Sequence, residues 1–139
     1  MYNKVDNRYE LDQEWADKQY NIKTSVNGEY IEGIIVTALE GGIGYWACLN
    51  NTRPEWDNKP EDMPTAYYAT RLILEGEWLC FNDAESGDED KWGLNLERLL
   101  HGIGFMLHKE MCNGEFRFPI DCADMIFQYA IFWEIRYSQ

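Results

Sequence analysis

Apolar residues recur at helical spacing along this chain, and each run stops at clear punctuation. Over residues 28–40, Tyr30, Ile31, Ile34, Ile35, Ala38 and Leu39 fall on one face. Thr24, Ser25 or Asn27 can cap this helix, Glu29 suits its first turn, and Gly41 with Gly42 ends it. Over residues 94–109, Leu96, Leu99, Leu100, Ile103, Met106 and Leu107 repeat the pattern. Gly102 and Gly104 each weaken that helix by roughly 1 kcal/mol relative to Ala, which points to another element packed close against it. A last helix starts after Asp121, a capping residue with Asp124 three positions on. It is apolar nearly all round, through Met125, Ile126, Phe127, Tyr129, Ala130, Ile131, Phe132 and Trp133, so its neighbours must bury it. Asp124 and Gln128 form its polar stripe. A buried amide needs partners, with a structural hydrogen bond to a loop as the first explanation and a ligand contact as the second.

Between these runs the signals are shorter. Residues 9–19 read as a short helix with Leu11, Trp15 and Lys18 on one side, and residues 44–49 as a strand. Residues 50–65 hold Pro54, Pro60 and Pro64 and read as a loop ordered around Trp56. Residues 67–74 and 77–81 read as a hairpin turning at Glu75-Gly76, followed by an acidic loop over 83–90. Residues 110–120, with Gly114 and Pro119, read as a loop. The expected fold is α+β: three to four helices packed on a small, mostly antiparallel sheet, with residues 1–139 as a single domain.

Composition narrows the class of partner. An apolar content of 45% and an aromatic content of 15% place the chain among globular proteins rather than disordered ones. A net charge of −13 with no Lys/Arg cluster argues against direct nucleic-acid binding and against an anionic membrane surface. A basic protein surface suits such a field, although acidity also serves solubility. Cys48, Cys80, Cys112 and Cys122 form no C-x-x-C pair and sit in or beside apolar stretches, as small buried hydrophobes do. The first residues lack a secretory pattern, and the longest apolar run falls short of the about 20 residues that span a bilayer. These features suggest the cytoplasm of a bacterial host, with reduced thiols.

The candidate chemistry is sparse. Gly41, Gly42 and Gly44 follow a helix and precede a strand, the reverse of a dinucleotide-binding turn, and no Walker motif is present. Glu40 faces the negative end of its helix, so either a partner compensates it or water does. Glu75, Glu77, Asp83, Glu85, Asp88, Glu89 and Asp90 form an acidic run without an intervening basic residue. It fails the calcium-loop spacing and reads as a partner-binding surface or as a solvated loop. His101 and His108, about 10 Å apart on one helix, read as exposed and too distant to share a metal. No nucleophile motif accompanies the serines, so we expect no enzyme, no cofactor and no metal.

The segment Thr37-Ala38-Leu39-Glu40-Gly41-Gly42-Ile43-Gly44-Tyr45-Trp46 resembles the "ALEGGxxYW" signature of a family of small proteins from phages, prophages and other mobile elements of Firmicutes. Two further blocks extend the resemblance over residues 25–137. Asn82-Asp83-Ala84-Glu85 followed by residues 94–103 is similar to the family's strand–acid–helix segment. Residues 123–135 resemble its C-terminal "ADxIxQYALFGE" helix, departing at Trp133, where the family pattern has Gly. The resemblance implies a mobile-element accessory protein and carries over no catalytic residue.

Two functions follow as expectations. The favoured one is an acidic, nucleic-acid-mimicking inhibitor of a host defence or nucleic-acid-handling protein such as a CRISPR nuclease. Its partner is a basic surface of a host protein, met by the acidic run. The alternative is a small-ligand binder or nucleotide-signal sponge at Glu40, Gly41, Gly42, Tyr45 and Trp46, with Arg71 and Arg98 as the available cations. The aromatic excess also suits a homodimer contact.

Overall fold

In a computed structural model the chain is described over residues 2–5, 8–14, 21–85, 89–112 and 122–138. Among the described residues, two antiparallel three-stranded sheets and four α-helices make up an α+β fold. The first sheet is a meander of β1 (Tyr2–Val5), β2 (Arg8–Glu14) and β3 (Asn21–Asn27). The second joins β4 (Ala47–Leu49), β5 (Leu79–Asp83) and β6 (Asp90–Leu94) in that order.

The helix expected over residues 9–19 is a strand as far as Glu14, and its remainder lies outside the described residues. Tyr9 and Leu11 alternate with polar residues and pair with Val26 and Thr24, which alternate in the same way. The period is two, and the pairing partner ten or more residues ahead decides between strand and helix. Tyr9 and Val26 meet across this pair as buried side chains.

Helix α1 (Gly28–Thr37) forms as its spacing requires, burying Ile31, Ile34 and Ile35. Asn27 is its cap, its Oδ1 accepting the Tyr30 N–H at 2.8 Å. The chain continues into a wide π-turn over Ala38–Gly42. Gly41 takes φ +144°, which a Cβ disfavours, and a Cβ on Gly42 would stand 3.0 Å from the Thr37 carbonyl oxygen. The two glycines therefore have separate structural jobs. The expected strand over 44–49 shrinks to Ala47–Leu49, because residues 44–46 turn to carry Tyr45 and Trp46 inward. The Pro-rich segment winds as a 3₁₀ turn, Pro54–Trp56, and buries Trp56.

The hairpin expected over 67–81 is wrong in its first half, where α2 (Thr65–Leu74) is a helix. Its aromatic and β-branched residues favour a strand locally, yet Ala66, Ala69, Thr70 and Ile73 form a buried stripe at i, i+3, i+4, i+7. The stripe packs on α1, and tertiary burial overrides local propensity. Glu75-Gly76 ends this helix, with Gly76 at φ +92° and the Glu77 N–H returning to the Leu72 carbonyl at 2.9 Å.

Helix α3 (Leu96–Cys112) starts from Asn95, whose Oδ1 accepts the Arg98 N–H at 3.0 Å. It packs along α4 (Ala123–Phe132), the helix whose Ile126, Phe127, Tyr129, Ala130 and Phe132 are all buried. The expected start at Asp121 and the loop after Cys112 lie outside the described residues. Gly102 is where the two helices touch. A Cβ there would lie 2.5 Å from the Ile126 carbonyl oxygen and 2.9 Å from the Ala130 Cβ. Of the cysteines with described side chains, Cys122 is buried and Cys80 half-buried, but Cys48 is exposed on the outer face of β4, contrary to expectation.

Gly102→Ala should therefore push α3 from α4 and destabilise the fold by about 1–3 kcal/mol. Gly44→Ala, whose added Cβ meets nothing within 4 Å, should stay within about 0.5 kcal/mol of the parent. Denaturant unfolding of both variants checks the contrast.

Candidate functional site

The signature segment and the last helix meet at one carboxylate. The turn after Gly42 aims Tyr45 and Trp46 at α4, where Asp124 and Gln128 stand one helical turn apart. The Tyr45 hydroxyl donates to Asp124 Oδ2 at 2.5 Å, and the Trp46 Nε1–H donates to Asp124 Oδ1 at 2.8 Å. Gln128 is fully buried. Its Oε1 accepts the backbone N–H groups of Arg136 at 2.8 Å and Tyr137 at 2.9 Å. Its Nε2 donates to Asp124 Oδ1 and to the Tyr137 carbonyl, both at 3.0 Å. Two backbone donors on one side and two oxygen acceptors on the other fix the amide orientation chemically. The polar stripe of α4 is thus satisfied within the protein, and it pins the segment that follows the helix.

Burial, and then the hydrogen bond to the Asp124 carboxylate, push the Tyr45 phenol up to about 12. Both keep the proton on the phenol, so Tyr45 is a donor here and a poor base.

Trp46 lies inside an aromatic cluster. Tyr137 stacks on it at 5.3 Å and 3°, Trp92 meets it edge-on at 5.6 Å, and Phe132 lies at 5.4 Å. The ring on which a ligand was expected to stack is 2% exposed and already stacked on the chain's own Tyr137. The other residues of that alternative scatter. Glu40 and Gly41 are exposed, and Glu40 has no ion-pair partner among the described residues. Arg71 pairs with Glu75 on its own helix at 3.3 Å. Arg98 donates to the Gly93 carbonyl at 3.1 Å and lies over the Trp78 ring at 5.1 Å.

The acidic run divides in two. Asp90 is held by Arg53 at 2.9 Å and by Asn50 at 2.9 Å. Asp83 pairs with Lys91 at 3.3 Å and accepts the Glu85 N–H at 2.9 Å, and Glu75 pairs with Arg71. Glu77, Glu85 and Glu89 are exposed and have no ion-pair partner among the described residues. Asp88 lies outside them. Three of the run's carboxylates are thus neutralised by cations that flank it in sequence or cross from the Pro-rich loop.

The histidines are half-buried, not exposed as their helical face suggested. For His101 the cover is Trp133, whose ring folds back to 3.9 Å from the imidazole, centre to centre. Burial lowers the His101 pKa below 6.5. Trp133 was expected to continue the buried helix. It lies beyond its end, 69% exposed, with φ +64°. A left-handed helix cap favours Gly, so a Trp at this position gave no local sign of where the helix ends. Among the described residues no three His, Cys, Asp or Glu side chains converge as a metal site would need. No helix among them is long and apolar enough to cross a membrane. Compared with family models, curated proteins and solved structures, the chain matches none.

Asp124→Asn removes the charge that Tyr45 and Trp46 point at. It should cost about 1–3 kcal/mol, because one donor then faces an amide N–H. The Tyr45 pKa should fall from about 12 yet stay above 10.0, since burial, its first cause, remains. NMR titration of labelled tyrosine reads this. In the parent the unfolded chain loses the Tyr45 proton first, so this contribution to stability is lost as pH rises from 10.0 to about 12.

His101 titrates in the opposite sense. Its folded pKa is depressed, so stability is lost as pH falls below 6.5. Trp133→Gly should raise the His101 pKa toward 6.5, as followed by imidazole proton shifts.

Proposed function

We propose that the protein acts by binding, as an acidic mobile-element accessory protein that occupies a basic surface of a host protein. The observation that carries this reading is the imbalance left after local pairing. Arg53, Arg71, Lys91 and Arg136 are each engaged by a nearby carboxylate. Lys109 donates to the Tyr129 hydroxyl and Lys59 to a backbone carbonyl. Glu77, just before β5, and Glu85 and Glu89, between β5 and β6, remain exposed, and Glu40, Asp57, Glu61, Asp62 and Glu97 add to the same sign elsewhere. Such a field attracts a cationic groove, speeds association and weakens with salt. A groove that normally holds nucleic acid has that chemistry, so a host nucleic-acid-handling or defence protein such as a CRISPR nuclease is the target class we favour. The resemblance to phage and prophage proteins supports the same setting.

Intact-mass measurement on the tagged chain, recovered from a bacterial host lysate at low and moderate salt, tests the proposal. A stoichiometric basic protein should be present at low salt and lost as salt rises. The triple variant Glu77→Gln, Glu85→Gln, Glu89→Gln should lose it at low salt while folding normally, because these side chains support no ion pair among the described residues. Asp90 stays in place, since removing it breaks the Arg53 contact rather than the open surface. A partner that ignores both salt and charge, no protein partner, or a small-molecule mass in its place would overturn the reading.

A further inference from the structure

Trp133 is the one described residue other than glycine with positive φ, and it exposes far more of its side chain than the other large apolar residues. It is 69% exposed, against 44% for Trp78 and 41% for Tyr30 and Tyr67. A Cβ is disfavoured at φ +64°, and a helix end of this kind is glycine's usual place. The fold gains little in return, because the ring covers His101 and otherwise faces water. A strained backbone that holds a large aromatic outward is best explained by a contact made outside the chain.

The surroundings specify the contact. Glu134 is the next residue and is exposed. Glu97 is also exposed and lies one turn before His101 on the same face of α3. An apolar partner would have to desolvate these carboxylates, whereas a cation is favoured by Glu97, which has no ion pair among the described residues, and by the ring, Glu134 being already paired with Arg136. The chain makes this contact with itself nearby. Arg136 pairs with Glu134 at 3.2 Å and lies 4.5 Å from the centre of the Phe132 ring, and Arg98 covers Trp78. No cation covers Trp133 among the described residues.

We propose that Trp133 is a further anchor for the partner, in addition to the Glu77, Glu85 and Glu89 carboxylates: its open indole face receives an arginine side chain of a basic protein, with the exposed Glu97 one turn from His101 as the carboxylate that favours it. This rests on the reading that the partner is a basic protein. Arginine suits the site better than lysine because a planar guanidinium stacks on an indole while its edges donate to carboxylates.

A hexa-arginine peptide titrated into ¹⁵N-labelled protein at moderate salt tests the assignment. The Trp133 indole N–H signal, identified by its loss in Trp133→Phe, should shift saturably. Trp133→Gly fits the backbone and should weaken peptide binding about fivefold, while Trp133→Phe largely keeps it. If Trp133→Gly alters the fold by circular dichroism, Glu97→Gln decides: weaker binding supports the site, unchanged binding removes it. Peptide binding that is indifferent to Trp133 overturns the anchor and leaves the basic-partner reading standing. No peptide binding, even at low salt, overturns both.

Discussion

One carboxylate, Asp124, joins parts of the chain that are nearly eighty residues apart. Its two oxygens accept the Tyr45 hydroxyl and the Trp46 indole N–H, and one of them also accepts the Gln128 amide. A half-buried charge is costly when unpaired and stabilising when saturated with donors, so this point tolerates little rearrangement. Around it Trp46, Trp92, Phe132 and Tyr137 pack with offset or edge contacts, each worth about 0.5–1.5 kcal/mol beyond buried area. The π-turn and its glycines aim the two donors, and α4 presents the acceptor. The Gly-Gly/Tyr-Trp segment is thereby explained as architecture, which is why the reading of function moves to the surface.

Much of this was visible in the sequence, and what was not has identifiable causes. The helices read over 28–40 and 94–109, observed over Gly28–Thr37 and Leu96–Cys112, announced themselves by their apolar stripes, the first also by its cap and its glycine stop. The close approach at Gly102 followed from a glycine placed where a helix should not want one. Helix α2 was misread because Tyr67, Tyr68, Thr70 and Ile73 favour a strand, while the stripe through Ala66 and Ala69 carries little hydrophobic weight. Strand β2 was misread because its alternation is short and gains meaning only beside β3. Asp124 and Gln128 stood out as polar residues on an apolar helix. The structural hydrogen bond expected of the buried Gln128 amide is made to the segment just after α4, whereas the partners of Asp124 were not legible, since nothing local encodes a hydrogen bond across nearly eighty residues.

The surface teaches a related lesson about charge. Read linearly, residues 75–90 are an uninterrupted acidic run. In space, Arg53, Arg71 and Lys91 close on three of its carboxylates. Exposed pairs of this sort add little stability, about 0–1 kcal/mol each. Their larger effect is to shape the potential, quenching the run at Glu75, Asp83 and Asp90 and leaving Glu77, Glu85 and Glu89 to face water. The unpaired negative feature is therefore narrower than the composition suggests, and the most exposed large aromatic, Trp133, belongs to a different part of the chain.

The placement of Tyr137 bears on how the molecule comes into being. Its ring covers Trp46, and its backbone N–H and carbonyl both bind Gln128. On the ribosome, everything up to α3 can be synthesised while Trp46 still lacks its lid and Asp124 has yet to be made. The nascent chain must hold a large aromatic open until residue 137 clears the exit tunnel, and such exposed intermediates are prone to wrong association. A net charge of −13 sets such chains to repel one another during that wait.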